Sequence, residues 1–177
     1  MEVTDTDTDN DKVLPLQCKW TLYYDSGDET KEWNERLVTV YTFDNVETFW
    51  RLFNNIKSPK QFESYQSYYL FRDGIKPSRE CEENKGGGVW TSFLSNNYDR
   101  KHVGDYWLYF VLLMIGGTFM EEYEITCGIC ISMFCGRGDR QHDRLSLWVK
   151  GDCTQDMAEA SLTKHFTRIK FRYKVHE

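Results

Sequence analysis

The chain is 177 residues long, enough for one domain with a sizeable core. It carries 28 acidic against 22 basic side chains, a formal net charge of −6. That balance argues against a protein that coats nucleic acid electrostatically, while leaving room for a pocket that reads one nucleotide.

Aromatic residues make up 16% of the chain, with 6 Trp, 11 Tyr and 11 Phe; most must serve the core, and the rest are available as stacking platforms for bases. The opening stretch, MEVTDTDTDNDK, is polar and acidic and predicts a disordered tail over residues 1–13, leaving residues 14–177 as a single domain. No window approaches the roughly 18 apolar residues of a membrane span. The six cysteines, at 18, 81, 127, 130, 135 and 153, are therefore expected to be reduced, in a soluble protein of the cytoplasm with the nucleus as a second compartment.

In chain order, LQCKWTLYY and RLVTVYTF are rich in β-branched and aromatic residues and predict two strands separated by a polar loop, DSGDETKEWNER. In FDNVETFWRLFNNI, Asp44 followed three residues later by Glu47 is a capping-box pattern. Val46, Phe49, Trp50 and Phe53 follow at helical spacing and predict a helix of about three turns. SYQSYYLFRDGI predicts a third strand ending in the Asp73–Gly74 turn, and VWTSFL a fourth beyond a loop containing three consecutive glycines. GDYWLYFVLLMIGGTF is the most apolar segment and predicts a helix that stops at Gly116–Gly117. ITCGICISMF and RLSLWV predict two buried strands joined by GRGDRQHD. Thr154 is placed to cap a short helix over DMAEASLTKHF, and RIKFRYKV predicts a last strand. Strands interleaved with helices predict an α+β domain, an antiparallel sheet with helices on one face.

Several residues carry chemistry. Trp33, in KEWNERL, has charged or amide neighbours instead of apolar ones. It is either folded back over a sheet edge or exposed for a ligand with a flat face. Glu80 follows Pro77 in a loop; it is either a solvated charge or a carboxylate that takes the N1–H and N2–H of guanine together. Arg137, Arg140 and Arg144 cluster around a glycine-bearing hairpin, where they either pair with Asp139 and Asp143 or offer guanidinium forks to phosphates. Cys127, Cys130, Cys135 and His142 resemble a metal cluster, yet they lie along a strand-like segment where residues three apart point to opposite faces. No metal or cofactor is expected. A thiol nucleophile pairing Cys135 with His142 lacks a legible orienting group, so no enzyme is expected either.

Taken in order, PLQCKW, KEWNERL, FDNVETFWRLFNNI, YYLFRDGIKP, ENKGGGVW, YWLYFVLLMIGGTF, ITCGICIS and DRLSLW resemble the translation initiation factor 4E family, which binds the 7-methylguanosine cap of messenger RNA. Trp20, Trp33, Trp50, Trp90, Trp107 and Trp148 all fall where that family places tryptophans. The resemblance implies a curved antiparallel sheet with helices packed on its convex face and the cap held on the concave side. It implies that Trp33 stacks on the methylated base, Glu80 reads the guanine edge, Trp148 lies beside the N7 methyl group and Arg144 contacts the phosphates. On the convex face it implies a groove for a scaffold or 4E-binding-protein helix, built from Pro15, Val46, Trp50, Leu108, Leu112 and Gly116.

Departures from the family pattern fall at the cap. Arg79 stands where a second stacking Trp is usual, and losing one base–aromatic stack costs about 1–3 kcal/mol, or roughly 5- to 150-fold in affinity. Val89 and Phe134 stand where basic residues are common, and the hairpin bearing Arg137 and Arg140 is longer than usual. Tyr109 replaces a glutamate that pairs with a basic residue of the partner motif. The expected function is binding of capped mRNA and of a partner helix in translation initiation. The alternative is an interaction module that keeps the helix groove and binds the cap weakly.

Overall fold

The computed structural model describes residues 13–94, 97–120, 123–135, 142–153 and 155–176. Alternation of buried and open side chains along its strands is what builds the architecture. Along β4 (Gly88–Leu94), Trp90, Ser92 and Leu94 are buried while Val89, Thr91 and Phe93 are more open. Along β6 (His142–Val149), Leu145, Leu147 and Val149 are buried on one side, and Arg144 and Trp148 lie on the other. With β1 (Pro15–Asp25), β2 (Leu37–Asn45), β3 (Ser67–Arg72), β5 (Thr126–Cys135) and β7 (Phe171–Val175) they form a seven-stranded sheet in the order β2-β1-β3-β5-β6-β4-β7. Every neighbouring pair is antiparallel. The α+β expectation therefore holds, with an open sheet instead of a closed barrel.

Helices α2 (Val46–Phe53), α4 (Val103–Ile115) and α5 (Gln155–His165) contribute to one continuous core with the buried strand residues. At its centre lie Trp20, Trp107, Phe110, Leu145 and Leu147, each at most 1% exposed. α4 buries side chains around most of its circumference, which is why the sequence there reads as nearly unbroken hydrophobicity. It ends as expected at Gly116, and Gly117 takes a left-handed φ of 64° against the Gln17 side chain. Two shorter α-helices, α1 (Trp33–Arg36) and α3 (Asn97–Lys101), are also present. α1 lies inside the stretch read from sequence as loop.

The start of α2 differs from the capping-box expectation. Pairing of β1 with β2 extends to Pro15 opposite Asn45, which holds Asp44 in extended backbone and moves the cap one residue on. Asn45 is the N-cap, its side chain accepting the Thr48 N–H at 2.8 Å. Glu47 does not reach back to the cap; its two carboxylate oxygens both lie 3.2 Å from the Leu14 amide, tying the first strand to the helix. The helix is also shorter than expected, 8 residues. The predicted cap at Thr154 lies outside the described residues.

The reassigned cap is testable by denaturant unfolding. Asn45→Ala should cost about 0.5–2 kcal/mol, whereas Asp44→Ala, an exposed change, should stay within about 0.5 kcal/mol of the parent. The opposite ranking would restore Asp44 as the cap.

Candidate functional site

Opposite the helices the sheet presents a curved floor whose side chains are arranged in cross-strand rows. One row runs Phe71, Gly128, Trp148, Val89, Lys174 across β3, β5, β6, β4 and β7. The next runs Tyr69, Cys130, Ser146, Thr91, Arg172, and a third Ser67, Ser132, Arg144, Phe93. Over this floor lies a cavity of about 380 Å³, lined among others by Tyr69, Arg79, Arg144 and Trp148.

Gly128 makes the centre of the floor possible. A Cβ there would stand 2.5 Å from the Phe71 ring. Without it, Phe71 meets Trp148 edge-on, ring centroids 5.5 Å apart at 69°. The other neighbour of the indole is His176, whose ring lies 4.4 Å away at 39°. His176 is 8% exposed, and among the described residues neither of its ring nitrogens has a hydrogen-bond partner. Burial, then the nearby Arg79 charge, lowers its pKa and keeps the imidazole neutral.

Trp33 opens α1 and is half-buried, so it is neither a stray surface residue nor a core one. Its indole hydrogen-bonds the Tyr69 hydroxyl, whose own pKa is pushed far up, chiefly by burial. The one-turn helix is moored at its far end: Arg36 Nε lies 3.1 Å from Oδ1 of the buried Asp25, which also accepts the Gly27 N–H at 2.9 Å. Trp33 thus stands at the rim of the floor, joined to it through Tyr69.

The opposite rim is the loop between β3 and β4. Asn84, fully buried, donates through its side-chain amide to the carbonyls of Lys76 at 2.8 Å and Ser78 at 2.7 Å. Ser78 in turn accepts the Cys81 N–H on its carbonyl and the Glu80 N–H on its hydroxyl, both at 3.2 Å. The crest carrying Arg79 and Glu80 is therefore exposed but its base is pinned. Arg79 lines the cavity, and Glu80 follows it on the same exposed crest.

Of the other expected site residues, Arg144 lies on the floor, while Arg137, Arg140 and the Phe134 side chain lie outside the described residues. The cysteines separate: Cys130 faces the floor, while Cys127 packs with Phe71 and Ile75 and has its thiol pushed up to about 12, mainly by burial. The His142 ring packs edge-on against Phe93, centroids 4.5 Å apart.

On the helix side, α2 lies against α4 through Phe49 and Phe53 beside Trp107 and Val111. This leaves Trp50 and Leu112 each 37% exposed, with Pro15 and Gly116 exposed and Val46 and Leu108 half-buried. Tyr109, 42% exposed, has its hydroxyl 3.2 Å from Nδ1 of His165 on α5.

Sequence reasoning missed Tyr69, His176, Arg172 and Lys174 as site residues. The signal for the last two was present, as basic residues two apart on a strand share one face.

Two outcomes follow from this geometry. Asn84→Ala should lower stability by about 1–3 kcal/mol in denaturant unfolding, because a fully buried side chain and its two hydrogen bonds to the loop carbonyls are lost. Acidification should destabilise the fold: the unfolded chain takes up a proton at His176 near its usual pKa of about 6.5, while the folded state resists it. The contribution is present above that pH and is lost as pH falls below it. His165, lowered by burial and then Lys164, acts in the same direction. Melting temperatures between pH 7.5 and 5.5 should fall, and fall less in His176→Gln; an equal fall would remove His176 as a cause.

The chain is similar to known proteins along nearly its whole described length. A sequence model of the family described as "Eukaryotic initiation factor 4E" matches residues 15–177. Translation initiation factor 4E-1 of Caenorhabditis elegans is 32% identical over 154 residues, covering 87% of this chain and 70% of its own. The factor 4E of Aplysia californica is 33% identical over 158 residues, covering 88% and 69%. Among solved structures, Ascaris suum eIF4E-3 in complex with m7G cap superposes with a TM-score of 0.81 at 32% identity, covering 93% of this chain and 92% of that one. Caenorhabditis elegans eIF4E-3 in complex with the 4E-binding protein Mextli gives 0.80 at 32% identity, covering 93% and 94%. The chain belongs to the eukaryotic initiation factor 4E family.

Proposed function

We propose that this protein binds the methylated guanine cap of messenger RNA on its concave floor and a partner helix against Trp50 and Leu112, serving translation initiation in the cytoplasm by binding and not by catalysis. The observation that carries the cap assignment is the convergence of Trp148, Tyr69, Arg79 and Arg144 on one cavity, with Trp33 bonded to Tyr69 and Glu80 next to Arg79 in the chain. Each has a chemical task. A 7-methylguanine ring is cationic and flat, and it gains from the faces of Trp33 and Trp148. Glu80 accepts the two N–H groups of the guanine edge, a pair that adenine does not offer. Arg144, beyond Trp148 along the same strand, takes phosphate oxygens. The solved relatives add support, as Ascaris suum eIF4E-3 has been captured with both the m7G and the m2,2,7G cap.

Arg79 changes how the base is held. A guanidinium against a cationic ring is a poorer slab than an indole, so the aromatic contact with the base rests on Trp33 and Trp148. Tryptophan-fluorescence titration with 7-methyl-GTP, with GTP as the control, tests the assignment. Quenching should require the methyl group and be lost in Trp33→Ala, and Glu80→Gln should weaken binding by roughly 10- to 150-fold, the cost of one charged hydrogen-bonding group. No methyl-dependent quenching up to millimolar ligand would overturn it and leave the helix face as the functional surface.

A further inference from the structure

The cap site proposed above uses the floor between Trp148 and Arg144; the neighbouring edge strand carries charge that this reading does not use. Arg172 and Lys174 on β7 are both exposed and both line the same cavity. Their direction is fixed by what sits between and around them. Tyr173 packs on Trp90 with ring centroids 5.2 Å apart, and Phe171 packs on Phe166 at 5.5 Å, both towards the core. The alternate residues are thereby turned onto the floor. Gly88 leaves room for the Tyr173 ring, and the His176 N–H donates to the Gly87 carbonyl at 2.9 Å, closing the strand end.

The register then places these cations relative to the base site. Lys174 is aligned through Val89 with Trp148, and Arg172 through Thr91 with Ser146, one step along β6 from both Trp148 and Arg144. Two strand spacings separate Lys174 from Trp148, about 10 Å between backbones, within the combined span of a lysine side chain and a nucleotide's phosphate chain. Arg79, Arg144, Arg172 and Lys174 all line the cavity, and among the described residues no Asp or Glu does. In a chain with net charge −6, a cavity lined by four cations and, among the described residues, no carboxylate is a local inversion of sign. Such a cavity is suited to a polyanion.

We infer that Arg172 and Lys174 bind the 5′–5′ triphosphate bridge of the capped nucleotide, so that the phosphate chain runs across β4 towards the β7 edge. This rests on the cap reading above, with the bridge phosphates as the specific ligand instead of the phosphates of the RNA that follows.

Three ligands separate the possibilities: 7-methyl-GMP, 7-methyl-GTP and a capped oligonucleotide, each titrated against the parent protein, Arg172→Ala/Lys174→Ala and the charge-conserving Arg172→Lys/Lys174→Arg. Both positions are solvent-exposed, and circular dichroism with thermal melts checks that the variants fold. The double alanine variant should lose about tenfold or more in affinity for 7-methyl-GTP and less than about threefold for 7-methyl-GMP. The salt dependence of 7-methyl-GTP affinity should be weaker in the double alanine variant than in the parent. The charge-conserving variant should keep most of the affinity. Equal losses for the mono- and triphosphate, or no loss for either, would overturn the inference while leaving the cap site intact. A loss confined to the capped oligonucleotide would reassign these cations to downstream RNA and overturn it too. Absence of methyl-dependent binding of any ligand by the parent protein would overturn the underlying cap reading.

Discussion

The antiparallel register that aligns Gly128, Trp148, Val89 and Lys174 across four strands is the constraint on which the site depends. A pleated strand has a period of two, so a slip of one residue exchanges its faces. On β6 such a slip would carry Arg144 and Trp148 into the core and expose Leu145 and Leu147, both fully buried. On β7 it would push Arg172 and Lys174 against Trp90 and the helix layer. Burying unpaired cations costs far more than losing apolar contacts. The core therefore locks the register from one side, and the functional floor inherits its order from packing it takes no part in.

The rims follow a different rule. Trp33 and the Arg79–Glu80 crest both come from connections between strands, and each connection hangs from a buried polar group: Asp25 with Arg36 on one side, Asn84 with two carbonyls on the other. A buried hydrogen-bonded side chain can hold a short loop where an apolar anchor would need a larger covering surface. The floor is held by continuous antiparallel pairing from β3 to β7. The rims are positioned by a few directional bonds, so their geometry is more sensitive to single substitutions.

Much of this was legible in the chain. Alternation in VWTSFL and RLSLWV announces strands with two distinct faces, and the apolar run before Gly116–Gly117 announces α4. The ordered tryptophans announce the family resemblance. Local signals failed where long-range pairing decided the outcome. Asp44 reads as a helix cap until β1 holds it in a strand, and the charged turn KEWNER hides a helix because nothing in its periodicity reports the Asp25–Arg36 mooring. His176 looks like an unremarked terminal residue until β7 carries it onto Trp148. Arg172 and Lys174 look like solvated charges because a sequence does not disclose that β7 pairs with β4 instead of with β6, its nearer preceding strand.

That pairing also gives a physical account of a cap site with altered residues. Positive charge is absent at Val89, but its register partner on the next strand is Lys174. Charge at a phosphate site is fungible over one strand spacing of about 4.8 Å, because flexible lysine and arginine side chains span that offset. An aromatic slab is not fungible in this way, since stacking needs a face within about 4.5–7 Å and at the right tilt. Replacement of a stacking residue by Arg79 therefore leaves the Trp148 face, whose indole is backed by the rings of Phe71 and His176. A cationic base tolerates that neighbour only if the imidazole is uncharged. Burial, assisted by the Arg79 charge, keeps it so. Arg79 adds positive charge to the cavity that would take the phosphates and, by the same field, disfavours protonation of the histidine packed on Trp148.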